Sequence, residues 1–161
     1  MSPPPFQRLI DVHGHDVHRF LVATVGRHDA DDCYQETWLS ALRAYPRLRD
    51  TSNLQAWIFT VAHHKAIDLV RARRRLPLAV DAVPESRPPG GAGEAPVADR
   101  DEGLWDLVRA LPPKQRTAVA LRFVADSPYA EISAVMGTSE EAARRNVHEG
   151  LKRLRTEYVN D

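Results

Sequence analysis

The stretch 128-PYAEISAVMG-137, followed at once by 138-TSEEAARRNVHEGLKRLR-155, decides the fold of the C-terminal part of the chain. The first piece is short, and Gly137 at its end is a typical helix terminator. Its apolar residues recur at helical intervals, at Tyr129, Ile132 and Val135. A short helix, a turn with glycine and a longer helix together predict a helix-turn-helix.

The second helix of this motif begins at a capping residue, either Thr138 or Ser139. If the cap is Thr138, Glu141 falls at the third helical position, as in a capping box. The helix has an apolar stripe that predicts its inner face, formed by Ala143, Val147, Leu151 and Leu154.

The outward face of the same helix is polar and mostly basic. The second helix of a helix-turn-helix enters the DNA major groove, where arginine can bond both acceptors of guanine. Two interpretations remain open on period and charge alone: a helix that contacts DNA, or a solvated helix whose basic end complements its dipole. The candidate DNA-contacting residues are Glu141, Arg144, Arg145, His148 and Lys152.

A proline- and glycine-rich segment, 76-LPLAVDAVPESRPPGGAGEAPVADR-100, divides the 161-residue chain. It has no sustained period of 3.6 or 2, and such a composition buries too little apolar area to offset its ordering entropy. We therefore expect a helical domain over residues 1–76, a flexible linker over 77–98 and a helix-turn-helix domain over 99–161. The expected fold class is all-α, because no stretch alternates convincingly between apolar and polar residues.

The expected N-terminal helices run from Leu9 to Val25, from a cap at Asp29 to the residue before Pro46, and from a cap at Asn53 to the basic end. In the C-terminal domain, Pro113 should open a helix, because proline is tolerated in a first turn. Residues expected to supply apolar stripes include Leu42, Leu104 and Phe123.

Composition excludes several classes of protein. Net charge is zero, so the chain is not coated with basic residues for nucleic acid, and any such contact must be a local patch. There is no apolar run long enough to span a membrane and no secretory signal at the N-terminus. Cys33 is the single cysteine, which fits a reducing cytosol. The expectation is a cytoplasmic protein without direct membrane insertion.

Catalytic and metal-binding patterns are weak. No nucleophile elbow, glycine-rich phosphate loop or paired-carboxylate motif stands out, so we expect no enzyme activity. His13, His15 and His18 lie close together in sequence, but no second cluster with ligand spacing completes a site. We expect neither a metal nor a cofactor, and we expect Cys33 to be a buried apolar residue.

Three stretches resemble one known family. They are 29-DADDCYQETWLSALRAY-45, 54-LQAWIFTVAHHKAIDLVRARRR-75 and 111-LPPKQRTAVALRFVADSPYAEISAVMG-137 with the helix after it. In this order, flanking a linker, they resemble a bacterial sigma factor of the extracytoplasmic-function type. That family keeps two helical domains, regions 2 and 4, joined by a flexible linker.

The resemblance implies a role for each domain. The chain would bind core RNA polymerase and direct promoter-specific initiation, with an anti-sigma factor as a further partner. In region 2, the helix that grips the polymerase clamp would use Asp32, Gln35, Glu36 and Trp38. The promoter element nearest the start site would be melted and read by Trp57, His63, His64, Asp68 and Arg71, with phosphate contacts from Arg73, Arg74 and Arg75.

The distal promoter element would be read as duplex by Arg144, Arg145, His148 and Lys152. Several positions depart from the family pattern. His63-His64 replaces a usual Arg-Asn pair, and Asp126-Ser127 replaces a usual Gly-Leu. Gly150, inside the last helix, costs about 1 kcal/mol relative to alanine.

An alternative function is a stand-alone helix-turn-helix regulator whose N-terminal domain binds protein. Such a regulator would bind duplex DNA unaided and would not need polymerase. A helical adaptor that binds protein alone is a third class, and the basic face of the last helix argues against it.

Overall fold

Three long helices build the N-terminal domain of the computed structural model, which describes residues 3–75 and 98–160. They are α1 (Phe6–Val25), α2 (Arg27–Ala44) and α3 (Leu54–Arg75), with a 3₁₀ turn at Tyr45–Arg47. The C-terminal domain contains α4 (Ala98–Arg109), α5 (Pro113–Phe123), α6 (Tyr129–Met136) and α7 (Glu140–Asn160). Every regular element among the described residues is a helix, so the all-α prediction is confirmed.

Helix boundaries follow local capping signals, with one difference from expectation, at the start of α2. Asn53 caps α3 as expected, since its Oδ1 accepts a hydrogen bond from the N–H of Ala56 at 3.0 Å. The second helix starts before Asp29, because Gly26, at φ +91°, makes the break between α1 and α2. At α7 the cap is Ser139, whose Oγ accepts from the N–H of Ala142 at 3.0 Å, so Thr138 and Glu141 form no capping box.

The helix-turn-helix consists of α6, a turn and α7, as predicted. Gly137 lies in the left-handed region at φ +69°, which glycine adopts without steric cost. Pro113 occupies the first turn of α5, also as predicted. The inner face of the motif is buried at Ile132, Val135, Ala143 and Val147.

Three apolar residues that the sequence pattern placed inward are exposed. Phe123 at the end of α5 is 58% exposed, Leu42 on α2 is 51% exposed, and Leu104 on α4 is 40% exposed. Each lies on a helix whose neighbours cover another part of its surface. Helical period alone identifies a stripe but not how much of that stripe a neighbouring helix reaches.

The two domains contact each other directly. Gln55 Nε2 on α3 donates to the carbonyl of Ala125 at 2.8 Å, and Asn53 Nδ2 donates to Glu131 Oε1 at 2.7 Å. The first helix of the helix-turn-helix therefore packs beside the start of α3. Most of the expected linker, residues 77–97, lies outside the described residues, and Ala98 is the first residue of α4.

Candidate functional site

The exposed side of α2 presents three polar residues in a row. Asp32, Gln35 and Glu36 are all exposed, and Gln35 and Glu36 lie three and four residues after Asp32, which places both beside it on the helix surface. Trp38 differs from the other predicted contact residues, because it is only 7% exposed. The centroid of its ring lies 5.8 Å from the centroid of the Phe6 ring. Trp38 is therefore a core residue.

An apolar groove of about 330 Å³ lies next to this polar row. Leu39 and Leu42 form its exposed wall, being 45% and 51% exposed, and Phe6 and Ile10 from α1 also line it. Trp38 lines it too, with an indole Nε1 that is buried without an acceptor. Leu39, Ile10 and Phe6 are not among the contact residues expected from the sequence. Leu39 could have been found, because it follows Asp32 and Gln35 on the same face.

The predicted DNA-contacting residues of α3 differ in their surroundings. Trp57 is partly buried, and its ring lies 6.0 Å from that of Tyr45. Burial lowers the pKa of His63 from 6.5 to about 4, and the nearby charge of His64 adds to the effect. His63 is therefore neutral at pH 7. His64, Asp68 and Arg71, by contrast, are exposed.

The arginines at the end of α3 lie beside the C-terminal domain. Arg73 forms an ion pair with Asp29, and both Arg73 and Arg74 line a cavity that Arg109 also lines. Arg75 is exposed. Phosphate contact by these three arginines stays a prediction, since Arg73 and Arg74 line the cavity but their side chains are exposed.

The outward face of α7 is exposed at every predicted position, namely Glu141, Arg144, Arg145, His148 and Lys152. The side chain of Arg144 lies against the ring of Tyr129, in the first helix of the helix-turn-helix. The guanidinium of Arg144 lies 4.8 Å from the centroid of the Tyr129 ring, and that of Arg122 lies 4.7 Å from the same centroid. Tyr129 thus joins α5, α6 and α7, and these cation–π contacts orient Arg144.

Cys33 is buried in the core, and His18 is paired with an aspartate. Cys33 is buried, and burial raises the pKa of its thiol to about 11, with Asp29 adding to the effect. A thiol with a raised pKa is a poor nucleophile. His18 Nε2 lies 3.0 Å from Asp31 Oδ1. Within residues 3–75 and 98–160, no three histidine, cysteine, aspartate or glutamate side chains are grouped to hold a metal ion.

The chain matches two family models, one in each domain. Residues 9–76 match Sigma-70 region 2, and residues 101–154 match Sigma-70, region 4. The order of the two matches is the one expected from the three sequence stretches. No helix in the described part of the chain is long and apolar enough to cross a membrane.

Curated relatives cover most of the chain. The extracytoplasmic-function (ECF) RNA polymerase sigma factor ShbA of Streptomyces griseus is 34% identical over 137 residues, which are 80% of this chain and 71% of the relative. The RNA polymerase sigma factor CarQ of Myxococcus xanthus is 30% identical over 151 residues, 93% of this chain and 87% of the relative.

Solved structures share the fold. The sigma factor RpoE of Bartonella quintana, solved with the anti-sigma factor NepR, matches with a TM-score of 0.77 at 22% identity, over 94% of each chain. CnrH, solved with the cytosolic domain of CnrY, matches with a TM-score of 0.74 at 18% identity, over 97% of this chain and 88% of that chain. At these identities the likeness establishes the arrangement of helices.

Proposed function

The chain belongs to the ECF sigma factors of the sigma-70 family, and from this premise we propose that its two domains divide promoter recognition between them. The protein binds core RNA polymerase through α2 and directs initiation at promoters that α3 and α7 recognise. Sigma factors are regulatory proteins rather than enzymes, and we propose that this chain catalyses no reaction of its own. The observation that carries the proposal is the exposed basic face of α7, on the reading helix of a helix-turn-helix.

The polymerase-binding surface combines the polar row of α2 with the apolar groove beside it. Interfaces are stabilised mainly by a buried apolar centre, while the charged rim sets orientation and association rate. Leu39 and Leu42 would supply the centre, and Asp32, Gln35 and Glu36 would form an acidic rim suited to a basic partner. Trp38 is buried beneath the groove, and its packing keeps these residues in position.

The distal promoter element is contacted by the exposed face of α7. Arg144 and Arg145 can each donate two hydrogen bonds to guanine or hold a phosphate, and His148 lies one turn further along the same face. The Tyr129 contact limits the rotamers of Arg144 before DNA arrives, which lowers the entropy lost on binding. Lys152, nearer the C-terminal end, would meet the phosphate backbone.

The proximal element is contacted by α3 in single-stranded form. His64 and Arg71 are exposed and can stack on bases or pair with phosphates. His63 contributes a neutral ring, because its lowered pKa keeps it unprotonated at pH 7. Trp57 is partly covered by Tyr45, so it would support the strand-binding surface with one edge.

Membership of the family supports proposals about regulation and location. Two structural neighbours were solved as complexes, the sigma factor RpoE with the anti-sigma factor NepR and CnrH with the cytosolic domain of CnrY. We propose that an anti-sigma factor also binds this chain, and that the chain acts in the cytoplasm, where it meets polymerase and promoter DNA.

The test is a titration of the purified protein against bacterial core RNA polymerase at a stated salt concentration, followed by transcription from candidate promoters. One-to-one binding that enables promoter-specific transcription is the expected result. Duplex binding by the protein alone, without affinity for core polymerase, would instead support a stand-alone regulator.

A further inference from the structure

Two arginines from different helices lie against one tyrosine ring in the C-terminal domain. The guanidinium of Arg122, on α5, lies 4.7 Å from the centroid of the Tyr129 ring, and that of Arg144, on α7, lies 4.8 Å from the same centroid. Tyr129 is the first residue of α6. Both distances are short enough for the attraction between a cation and the face of an aromatic ring. A chain of contacts therefore runs from α5 through α6 to an outward residue of α7.

Arg122 is held in place independently of Arg144. Its Nη1 donates a hydrogen bond to the carbonyl of Ser127 at 3.1 Å. Ser127 is itself fixed, since it is 2% exposed and its N–H donates to the carbonyl of Leu121 at 3.1 Å. Because Arg122 is bonded to a buried turn between α5 and α6, it limits the positions that the Tyr129 ring can take.

Arg144 contacts this ring and not the carboxylates that its own helix offers. Glu140 and Glu141 lie four and three residues before it, which is the spacing of helical ion pairs. Within residues 3–75 and 98–160, neither carboxylate pairs with Arg144, and Arg144 donates no hydrogen bond. A cation–π contact depends on the charge of the guanidinium and occupies none of its acceptor-seeking N–H groups. The side chain is therefore positioned while its donors stay available.

The neighbouring Arg145 lacks this support. It is exposed like Arg144, but its side chain forms no hydrogen bond, ion pair or ring contact with the part of the chain that the structure describes. An unrestrained arginine loses its rotamer freedom on binding, whereas a positioned one has already lost part of it. Two aligned N–H groups are required for the bidentate contact to guanine, so a positioned arginine suits base recognition better than an unrestrained one.

We propose that Arg122 and Tyr129 are positioning residues that make Arg144 the base-reading arginine of α7, with guanine as the base that it specifies. Arg122 acts through Tyr129, and Tyr129 acts through Arg144, so neither has to touch DNA. Arg145 contributes affinity through the phosphate backbone, which carries no direct sequence information. This division of roles rests on the proposed contact of α7 with the distal element and deepens it.

The first measurement requires no DNA. Nuclear magnetic relaxation of the arginine Nε–H groups in the full chain reports how ordered each side chain is on the picosecond-to-nanosecond timescale. Arg144 should be more ordered than Arg145 in the wild-type protein, and Tyr129→Leu should lower its order to that of Arg145. Tyr129→Phe retains the ring and should retain the order. Equal disorder of the two arginines in the wild-type protein would overturn the proposal.

The second measurement is the base preference of the full chain with core RNA polymerase, selected at one salt concentration from duplexes randomised over the distal element. Arg144→Ala should abolish a preference for guanine at one position. Tyr129→Leu and Arg122→Gln should each weaken that preference about two- to fivefold and leave the other positions unchanged. Tyr129→Phe should behave like the wild type. Arg145→Ala should weaken the binding of all sequences equally.

The outcomes separate the positioning roles from promoter reading itself. A wild-type protein that selects no sequence would contradict reading by α7, and the base-reading role of Arg144 with it. A guanine preference that requires Arg144 but survives Tyr129→Leu would overturn the positioning roles alone. Loss of that preference in Arg145→Ala, with Arg144→Ala unaffected, would assign base reading to the wrong arginine and also overturn the proposal.

Folding of the variants is checked by helix content and melting temperature. Tyr129 is partly buried, so Tyr129→Leu is the variant at greatest risk of instability. Arg122→Gln keeps the tyrosine and removes only the support of its ring, so it tests the same role if Tyr129→Leu does not fold. A guanine preference of wild-type strength in a folded Arg122→Gln protein would overturn the role of Arg122.

Discussion

The N-terminal and C-terminal domains have interiors made of different side chains. The first is packed around aromatic residues, with Phe20 and Phe59 fully buried and in edge-to-face contact at 5.5 Å between ring centroids. The second is packed around Leu121 and Ile132 with several alanines, and none of its aromatic side chains within residues 103–159 is buried. Larger buried side chains contribute more apolar area, so the N-terminal core has the larger stabilisation per residue.

The exposed surfaces of the two domains also differ. The N-terminal domain keeps Leu39 and Leu42 exposed beside an acidic rim, which suits a protein partner. The C-terminal domain has exposed positive charge on α7, at Arg144 and Arg145. Phe123 and Leu104 of the C-terminal domain are exposed as well, so the difference lies in the surroundings: Leu39 and Leu42 line an apolar groove beside a polar row of α2.

The largest expected effect tests the two cores. Phe59→Ala should lower the free energy of unfolding by about 4 kcal/mol, and Leu121→Ala by about 3 kcal/mol, because each leaves a cavity. Urea denaturation of the full chain, followed by circular dichroism, measures both. Phe123→Ala is the control, since Phe123 is 58% exposed and its loss should change stability by less than about 0.5 kcal/mol. If Leu121→Ala lowered the free energy of unfolding more than Phe59→Ala, the C-terminal core would be the more strongly stabilised of the two.

The next prediction concerns acid stability of the N-terminal domain. The folded state keeps His63 neutral down to a pKa of about 4, while the unfolded chain protonates it near 6.5. The unfolded state therefore binds more protons in this window, and stability is lost as pH falls from 6.5 toward 4, by up to about 3 kcal/mol.

His63→Gln should flatten the acid side of the pH–stability curve measured by urea denaturation. His148→Gln, on the exposed face of α7, should leave the wild-type slope unchanged. A His63→Gln protein that loses stability with acid as steeply as the wild type would show that other groups cause the slope.

A pair of double variants tests the division between the surfaces. Leu39→Ala with Leu42→Ala should weaken binding to core polymerase by about 2 kcal/mol, because the groove loses its apolar wall. Arg144→Ala with Arg145→Ala should weaken binding of distal-element duplex by a similar amount, about 2 kcal/mol, while core binding stays unchanged. Fluorescence titrations at one fixed salt concentration measure both affinities.

The controls for these variants are exposed residues of the same type. Val12→Ala on α1 is matched to the leucine variants, because Val12 is 56% exposed and does not line the groove. Arg153→Ala is matched to the arginine variants. Loss of core binding in the Arg144 and Arg145 variant would show that the two surfaces are not separate. Unchanged core affinity after replacing Gln35 and Glu36 with alanine would contradict the acidic rim.

A smaller effect is expected at Gly150 in α7. A Cβ there would lie 2.6 Å from Cγ2 of Val119, so α5 and α7 approach each other too closely for alanine. The overpacking cost, about 1–3 kcal/mol, exceeds the gain in helix propensity of about 1 kcal/mol. Gly150→Ala should lower the free energy of unfolding by about 1 kcal/mol, and Gly150→Ala with Val119→Ala should restore the contact distance. Stabilisation by the single variant would show that Val119 moves aside freely.

The smallest effect is expected at Asp126, before the helix-turn-helix. Its backbone is left-handed at φ +52°, which costs a residue with a Cβ more than it costs glycine. Asp126→Gly should raise the free energy of unfolding by about 0.5 kcal/mol, after the entropy that glycine adds to the unfolded chain. Asp126→Ala, which keeps the Cβ, should lower it instead. Both are measured by thermal and urea unfolding.

Much of the fold could be predicted because its signals are local. The Asn53 cap, the Pro113 start and the Gly137 end each act through their own turn of backbone, so they are visible in a few neighbouring residues. The exposed basic face of α7 is equally local, since a period of 3.6 separates its inner and outer residues. The start of α2 was predicted too late, because Asp29 is of a residue type typical of caps but lies inside the helix, which begins directly after Gly26.

Tertiary structure decided how those faces are used. Trp38 became the floor of a groove and Leu42 its exposed wall, because α1 covers one side of α2 and leaves the other open. Arg73 and Arg74, at the end of α3, line the same cavity as Arg116 of α5, because the second domain lies against α3. Gly150 disfavours the helix by its low propensity, but the packing of α5 on α7 requires a glycine there, because Val119 occupies the space that a Cβ would need.

The sequence by itself therefore determined the helices, their order and the charged face of the reading helix. Only the tertiary structure decided which apolar residues stay exposed and which arginines share a cavity. The physical reason is range: capping and helical period depend on residues within one or two turns, whereas burial and charge crowding depend on segments brought together from distant parts of the chain.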